Sequence, residues 1–376
     1  MSILGVSTEA FEKMVHYLRY SLFVLIVTVI ACSNEEKQED SVFDYHHVHE
    51  SAVFISSETT EFAGSPVRIN ATEGALYFSD HAYNRVTKVG RDGEKLFSFG
   101  STGVGPGEFQ SLAGFWVFDD YYLLYDYNGF KFIAYDRKGN AIGDIMVDSD
   151  LAYPDGFPLR IPITVEAINS HQLLIPSGGK DGSLFVIADI EADTMQFFGR
   201  AIGEHAGSYD FAKVQQAFSA GEIPGVFVNS VFLGSSGSGI YSFQQTTAIL
   251  EKFDDQGEMI WSKKLKVPAQ EGMFDSIARE NRERVKLNEV PHLFYYARSL
   301  DVHDEGVAIL LNTPSDHPLT VAWGSSDGSQ FEVVEYHGIE NEEIGNFGSF
   351  SVSPADSRAY FLNAQDGKIY EAEWPF

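Results

Sequence analysis

The chain has 376 residues, 44% of them hydrophobic and 14% aromatic, which is enough apolar material for a large packed core and excludes a disordered chain. Its 34 glycines and 30 phenylalanines suit short strands joined by tight turns and disfavour long helices. Acids outnumber bases 54 to 26, a formal net charge of -28, which repels phosphate backbones and excludes nucleic acid as an expected partner.

The first predicted element is an export signal. A weakly basic start (His16, Arg19) precedes an apolar run from Ser21 to Ala31. Its 11 residues fall short of the about 20 that a membrane-spanning helix needs, so the run reads as a signal-peptide core. The sole cysteine, Cys32, closes it, and no internal disulfide is available. Val29-Ile30-Ala31-Cys32 resembles the lipobox of bacterial lipoproteins. That resemblance implies that Cys32 is acylated and becomes the mature N-terminus. Ser33 in the next position resembles an outer-membrane sorting signal. The other reading is an ordinary signal peptide with an incidental cysteine. Residues 1–13 carry Glu9 and Glu12 and are out of place ahead of such a signal, which makes Met14 an alternative start.

Residues 33–49 are mostly polar and charged and read as a solvated tether, with acyl chains on Cys32 supplying the membrane attachment. Within it, "DYHHVHE" (Asp44–Glu50) is the densest histidine cluster. His47 and His49 are two apart and share a face if this is a strand. Two imidazoles open a zinc site only with a third or fourth ligand, and the adjacent sequence offers no clear one. No metal site is expected here.

Residues 50–376 read as one repeat domain. "ALYFSDHAYNRVTKVGRDGEKL" (Ala75–Leu96) aligns with "YYLLYDYNGFKFIAYDRKGNAI" (Tyr121–Ile142) at an offset of 46 residues, which superposes Asp80 on Asp126 and Gly93 on Gly139. Each copy reads as an apolar strand ending in Asp, a polar turn, a second strand, a glycine hairpin and a third strand. Pro66–Asn70 and Leu112–Phe118 supply an opening strand before each. Four antiparallel strands in about 46 residues make a β-propeller blade. Weaker copies follow at His171–Phe198, Gly239–Leu265, Gly306–Gly338 and Arg358–Trp374.

The spacing of the hairpin glycines supports six blades. Gly139 and Gly257 are 118 residues apart, two repeats and 26 more; Gly257 and Gly328 are 71 apart, one repeat and 25 more. Both surpluses have visible sources. One is Arg200–Gly225; the other is Pro268–His292, which reads as a helix from about Gly272 to Leu287. The last copy ends after its third strand. Because an open propeller leaves a bare strand edge, Ser51–Glu58 is predicted to supply the outermost strand of the last blade and close the ring. The predicted fold is all-β: a six-bladed propeller of four-stranded antiparallel blades, closed by an N-terminal strand, with one helical insertion.

"FGSTGVGPGEFQSLAGFWVFDD" (Phe99–Asp120) joins the first two blades. Its Gly103-Val104-Gly105-Pro106-Gly107-Glu108-Phe109 run resembles the linker of NHL-type repeats. Together with the lipobox, the six decayed blades resemble the TolB-like propeller lipoproteins of Bacteroidetes-type bacteria. The resemblance implies a fold and an envelope address, and little chemistry. The linker is not a phosphate loop, since no Gly-Lys-Ser/Thr follows and the next element is a strand. Asp80 and Asp126 read as turn-stabilising residues that accept backbone N–H bonds, with Asn312, Asn363 and, less well, Gln244 in the same position.

Neither a catalytic residue nor a cofactor is assigned. The function expected is a binding or scaffolding module for a protein, peptide or glycan, held to the membrane through a lipid anchor. The alternative is a metal-dependent hydrolase or lactonase with a divalent cation such as Ca²⁺ in the central channel. That alternative requires three or more carboxylates or amides converging on the axis.

Overall fold

A computed structural model describes residues 43–376, apart from residues 130, 147–164, 178, 180, 181, 190, 193, 203–210, 290, 293, 315, 316 and 340–346. The signal segment, Cys32 and residues 33–42 of the expected tether lie outside the described residues.

The described chain forms six sheets of four-stranded blades. Blade 1 is β3 (Pro66–Thr72), β4 (Ala75–Asp80), β5 (Arg85–Gly90) and β6 (Lys95–Phe99). Blade 2 is β7 (Leu112–Val117), β8 (Tyr121–Asp126), β9 (Lys131–Asp136) and β10 (Ala141–Met146). Blade 3 is β11 (Glu166–Ala167), β12 (Gln172–Pro176), β13 (Phe185–Asp189) and β14 (Thr194–Phe198). Blade 4 is β15 (Val231–Ser236), β16 (Gly239–Gln244), β17 (Ile249–Phe253) and β18 (Met259–Lys264). Blade 5 is β19 (Ala297–Val302), β20 (Gly306–Leu311), β21 (Leu319–Ser325) and β22 (Phe331–Tyr336), and blade 6 begins with β23 (Phe347–Ser353), β24 (Arg358–Asn363) and β25 (Lys368–Glu373).

The core lies between the blades. Along a strand, successive side chains point to opposite faces. In the second strand of a blade both faces are covered, so these strands are apolar without alternation: every residue of β4 and of β20 is buried. Tyr77 packs toward blade 2 with Tyr122 and Tyr135, whereas its neighbour Phe78 packs toward blade 6 with Leu362 and Ile369. The same division recurs around the ring, giving one apolar cluster at each of the six blade junctions. Outermost strands face solvent on one side, and Leu96, Ile142 and Met259 there are exposed.

The predicted closure is present. Strand β2 (Ser51–Ser56) pairs antiparallel with β25, completing blade 6 as its fourth strand. Ile55 of β2 is buried in the cluster between blades 6 and 1. The hairpin glycines Gly93, Gly139, Gly257 and Gly328 all have φ between 70° and 83°, the left-handed conformation that a side chain would strain.

One segment departs from the sequence reading. Asp44–Val48, expected within the tether, is strand β1, and it pairs in parallel with β22 as a fifth strand of blade 5. Its polar composition suits an edge position, where one face and one backbone side stay in water.

The glycine linker after β6 folds onto blade 2. Phe109 is fully buried, and its N–H donates to the Ser101 carbonyl. The Gly105 N–H donates to Glu108 and the Gly107 N–H to Asp144. With these amides already satisfied by carboxylates, the loop has no free cradle for a phosphate.

The predicted helix is present as Met273–Lys286 and sits in the second insertion. The first insertion also carries a helix, Phe211–Ala220. Here they are called α2 and α1. They pack together through Phe218 of α1, with Phe274 and Ile277 of α2 beside the same cleft. Gln270, just ahead of α2, donates to the Tyr296 and Asn312 carbonyls, which lie where the first two strands of blade 5 begin and end. The helical pair is thereby fixed at the propeller end where the innermost strands start.

Candidate functional site

The innermost strand of each blade lines a central channel of about 800 Å3. Innermost strands would need only small or apolar residues to fill a closed axis. Several carry charged groups instead, and these groups converge.

Arg68 on β3, Trp116 on β7 and Glu166 on β11 form one set. The Arg68 guanidinium donates to Glu166 at 2.8 Å, and the Trp116 indole N–H donates to the other carboxylate oxygen at 2.6 Å. Arg68 also lies over the Trp116 ring, 5.5 Å from its centroid, a cation–π contact. Gly114 leaves room for this arrangement, because a Cβ there would meet the Trp116 ring at 2.9 Å. The set links blades 1, 2 and 3 across the channel wall.

A second set links blades 5, 6 and 1. Asp301 on β19 accepts from the Ser351 hydroxyl at 2.9 Å and from the Val352 N–H at 2.7 Å, both on β23. The Ser351 hydroxyl in turn accepts from the Ala71 N–H of β3 at 2.9 Å, and Ser349 accepts from Ile69 N–H. His303 Nε2 lies 3.0 Å from the same Asp301 oxygen. Burial alone would lower the His303 pKa, but the adjacent Asp301 outweighs it and the net shift is upward.

That shift has a consequence for stability. A histidine whose folded pKa is raised contributes stability that is fully present below its unfolded value near 6.5 and fades as pH rises through the folded value. His303→Gln is therefore expected to cost about 1.5 kcal/mol at about pH 5 and markedly less at about pH 9. Chemical denaturation of both proteins at the two pH values checks this; an equal gap at both would contradict it.

Arg298 on β19 also lines the channel. Its Nε donates to the Asn312 side chain, and Asn312 is held by donating to the Tyr295 carbonyl. The Nη1 of Arg298 is buried and has no hydrogen-bond partner among the described residues. Burial pulls its pKa down to about 10, so it stays charged at neutral pH. Arg298 as a whole is half-buried, and a guanidinium with an unused donor favours an anionic or carbonyl-rich ligand.

The sequence-predicted residues divide by role. Asp80 is fully buried and accepts four backbone N–H bonds, from Gly64, Ser65, Ala82 and Tyr83. Asp126 accepts from Gln110 and Ser111, and Asn363 from Gln365 and Asp366. Asp80 and Asn363 hold the turn that follows them, as expected, whereas the bonds to Asp126 come from the segment leading into β7. Gln244 differs: its amide engages Thr247 and Glu251 side chains, because its extra methylene carries it past the backbone. Asn312 holds Arg298 and the Tyr295 carbonyl instead of its own turn. Histidines 47 and 49 lie on or just beyond β1 at the rim of blade 5, far along the blade from the axis. Sequence reasoning missed Arg68, Glu166 and Arg298; the available signal was a charge inside an opening strand.

No family model matches the chain, and no curated protein matches it. Solved structures do. A protein of Bacteroides fragilis described as exported is 12% identical with a TM-score of 0.52, over 88% of this chain and 99% of that one. A DUF4221 family member from Bacteroides vulgatus is 11% identical with a TM-score of 0.52, over 87% and 96%. At these identities the likeness is one of fold.

Proposed function

We propose that this protein is a lipid-anchored envelope propeller that binds a protein, peptide or glycan through its central channel. The observation that carries the reading is the channel itself: a rigid six-bladed wall bearing a preformed Arg68–Trp116–Glu166 set and the under-partnered Arg298. Such a wall holds polar ligand groups at fixed positions without ordering cost on the protein side. Ligands rich in carboxylates or carbonyls suit Arg298 best.

The hydrolase alternative needs cation ligands converging on the axis. Among the described residues, Glu166 faces Arg68 and Trp116, and Asp301 faces His303, Ser351 and Val352. Neither carboxylate stands in a group of three His, Asp or Glu donors close enough to share an ion. The Arg68–Trp116–Glu166 set and Arg298 support the binding reading.

Anchoring rests on Val29–Cys32 and Ser33, and on the fold shared with a Bacteroides protein described as exported. On this reading acyl chains on Cys32 hold the domain at the outer membrane, and the residues that follow space it from the surface.

The test joins the two halves. Peptide and glycan arrays probed with the wild-type domain are expected to yield a ligand whose affinity falls at least about tenfold in Arg298→Gln. Full-length Cys32→Ser, expressed in a Gram-negative host, is expected to leave the membrane fraction. A ligand bound equally by Arg298→Gln would refute the channel as its site, and an unchanged membrane fraction would refute the anchor.

A further inference from the structure

The parallel pairing of β1 with β22 sets His47 beside Glu335 in register. In a strand, residues two apart share a face, so Glu335 and His337 project to the same side, and His47 joins them from across the ladder. His47 Nδ1 lies 3.1 Å from Glu335 Oε2 and 3.2 Å from His337 Nε2. His337 Nε2 lies 3.5 Å from the same Glu335 oxygen. Three ligand atoms thus form a nearly equilateral triangle.

We propose that His47, Glu335 and His337 form a binding site for a zinc-class divalent transition-metal ion, which clips β1 onto the outer edge of blade 5. The dimensions fit. Zinc–nitrogen and zinc–oxygen bonds of about 2.0–2.2 Å place the donors of a tetrahedral centre roughly 3.3–3.5 Å apart. The donor set fits as well. Two imidazoles and a carboxylate suit zinc, copper or nickel, whereas calcium and magnesium take mostly oxygen ligands.

The surroundings leave a coordination position open. The side chains of His47 and His337 are 51% and 36% exposed, while Glu335 is only 15% exposed and anchors the base of the triangle. A water can complete the shell, or His49 can, whose ring stacks on His337 with centroids 4.9 Å apart. This is the third ligand that the sequence around His47 and His49 does not offer: it arrives from a strand nearly three hundred residues later. The role follows from topology. Strand β1 is an edge strand of five residues hydrogen-bonded on one side only, and a metal bridge would fix it where backbone pairing alone is weak. The rival is a purely hydrogen-bonded His–Glu–His cluster, and metal titration separates the two.

The experiment uses tag-free protein, stripped with a chelator and titrated with Zn²⁺ in competition with a chromophoric chelator, and with Co²⁺ as a spectroscopic probe. The expected result is one tightly bound ion per chain and the visible absorption of four-coordinate cobalt. Loss of an outer-shell partner typically costs 10- to 100-fold in affinity, so removing a ligand in His47→Ala or His337→Ala should cost more than about 100-fold. His46→Ala is the control, since His46 points to the opposite face and pairs with Glu332. It should bind zinc as wild type does. Zinc should also raise the melting temperature of wild type and of His46→Ala but not of His337→Ala. The proposal is overturned if wild type takes up no zinc, or if His47→Ala and His337→Ala bind it as tightly as wild type.

Discussion

Replacing Ser51–Ser56 by a Gly/Ser run of equal length is expected to remove more than about 5 kcal/mol of stability and to make the protein self-associate. Typical domains have only about 5–15 kcal/mol in total. Strand β2 covers the free edge of β25 and inserts Ile55 between blades 6 and 1. Without it, the backbone of Lys368–Glu373 becomes an open template for another chain. The smaller change Ile55→Ala should cost about 2–4 kcal/mol and leave the protein monomeric, since it deletes packing but keeps the ladder. Light scattering after size exclusion and urea denaturation together read both effects. A monomeric Gly/Ser variant with an unchanged midpoint would show that the ring does not depend on this strand.

Asp80→Ala is expected to cost about 3–5 kcal/mol, among the largest effects of any single substitution here. Its carboxylate is fully buried and gathers N–H groups from both sides of a chain crossing: Gly64 and Ser65 lead into the innermost strand, and Ala82 and Tyr83 follow the second. Removing the carboxylate strips four part-buried backbone donors of their shared acceptor at once. Asp80→Asn keeps an acceptor oxygen and should cost less than half as much. Asp126→Ala should be milder than Asp80→Ala, because among the described residues Asp126 serves two backbone donors, those of Gln110 and Ser111. Denaturation midpoints of the four proteins rank them, and equal midpoints for Asp80→Ala and Asp80→Asn would contradict the account.

The fold was legible because a blade is a local object. Its strands, hairpin glycine and terminal Asp all fall within one repeat, so Asp80 and Asp126, or Gly93 and Gly139, announce it by spacing alone. Even the closure by Ser51–Glu58 could be read, because a ring short of one strand demands it. The channel could not be read in the same way. Arg68, Trp116 and Glu166 come from three blades, and nothing in the sequence near one identifies the others. Glu166 also precedes His171–Phe198, the weakest copy, and so falls outside the segment that the repeat marks. Strand β1 was illegible for a related reason. Parallel pairing has no hairpin signature, and DYHHV has neither the alternation nor the apolar content of a strand that builds a core.

The pairing of β2 with β25 also imposes an order on synthesis. A strand near residue 50 has its partner near residue 370, so it must wait for almost the whole chain to be made. Blades 1 to 5 can each collect their own four strands as they emerge, since those contacts are short in sequence. Blade 6 cannot, and the cluster holding Ile55 and Tyr360 stays open until the end. During that interval β2 has no partner, and β25, once paired with β24, keeps its outer edge open until β2 arrives. The seam between blades 6 and 1 is thus the last junction to form, and the place where a chaperone or a prematurely ended chain would make itself felt.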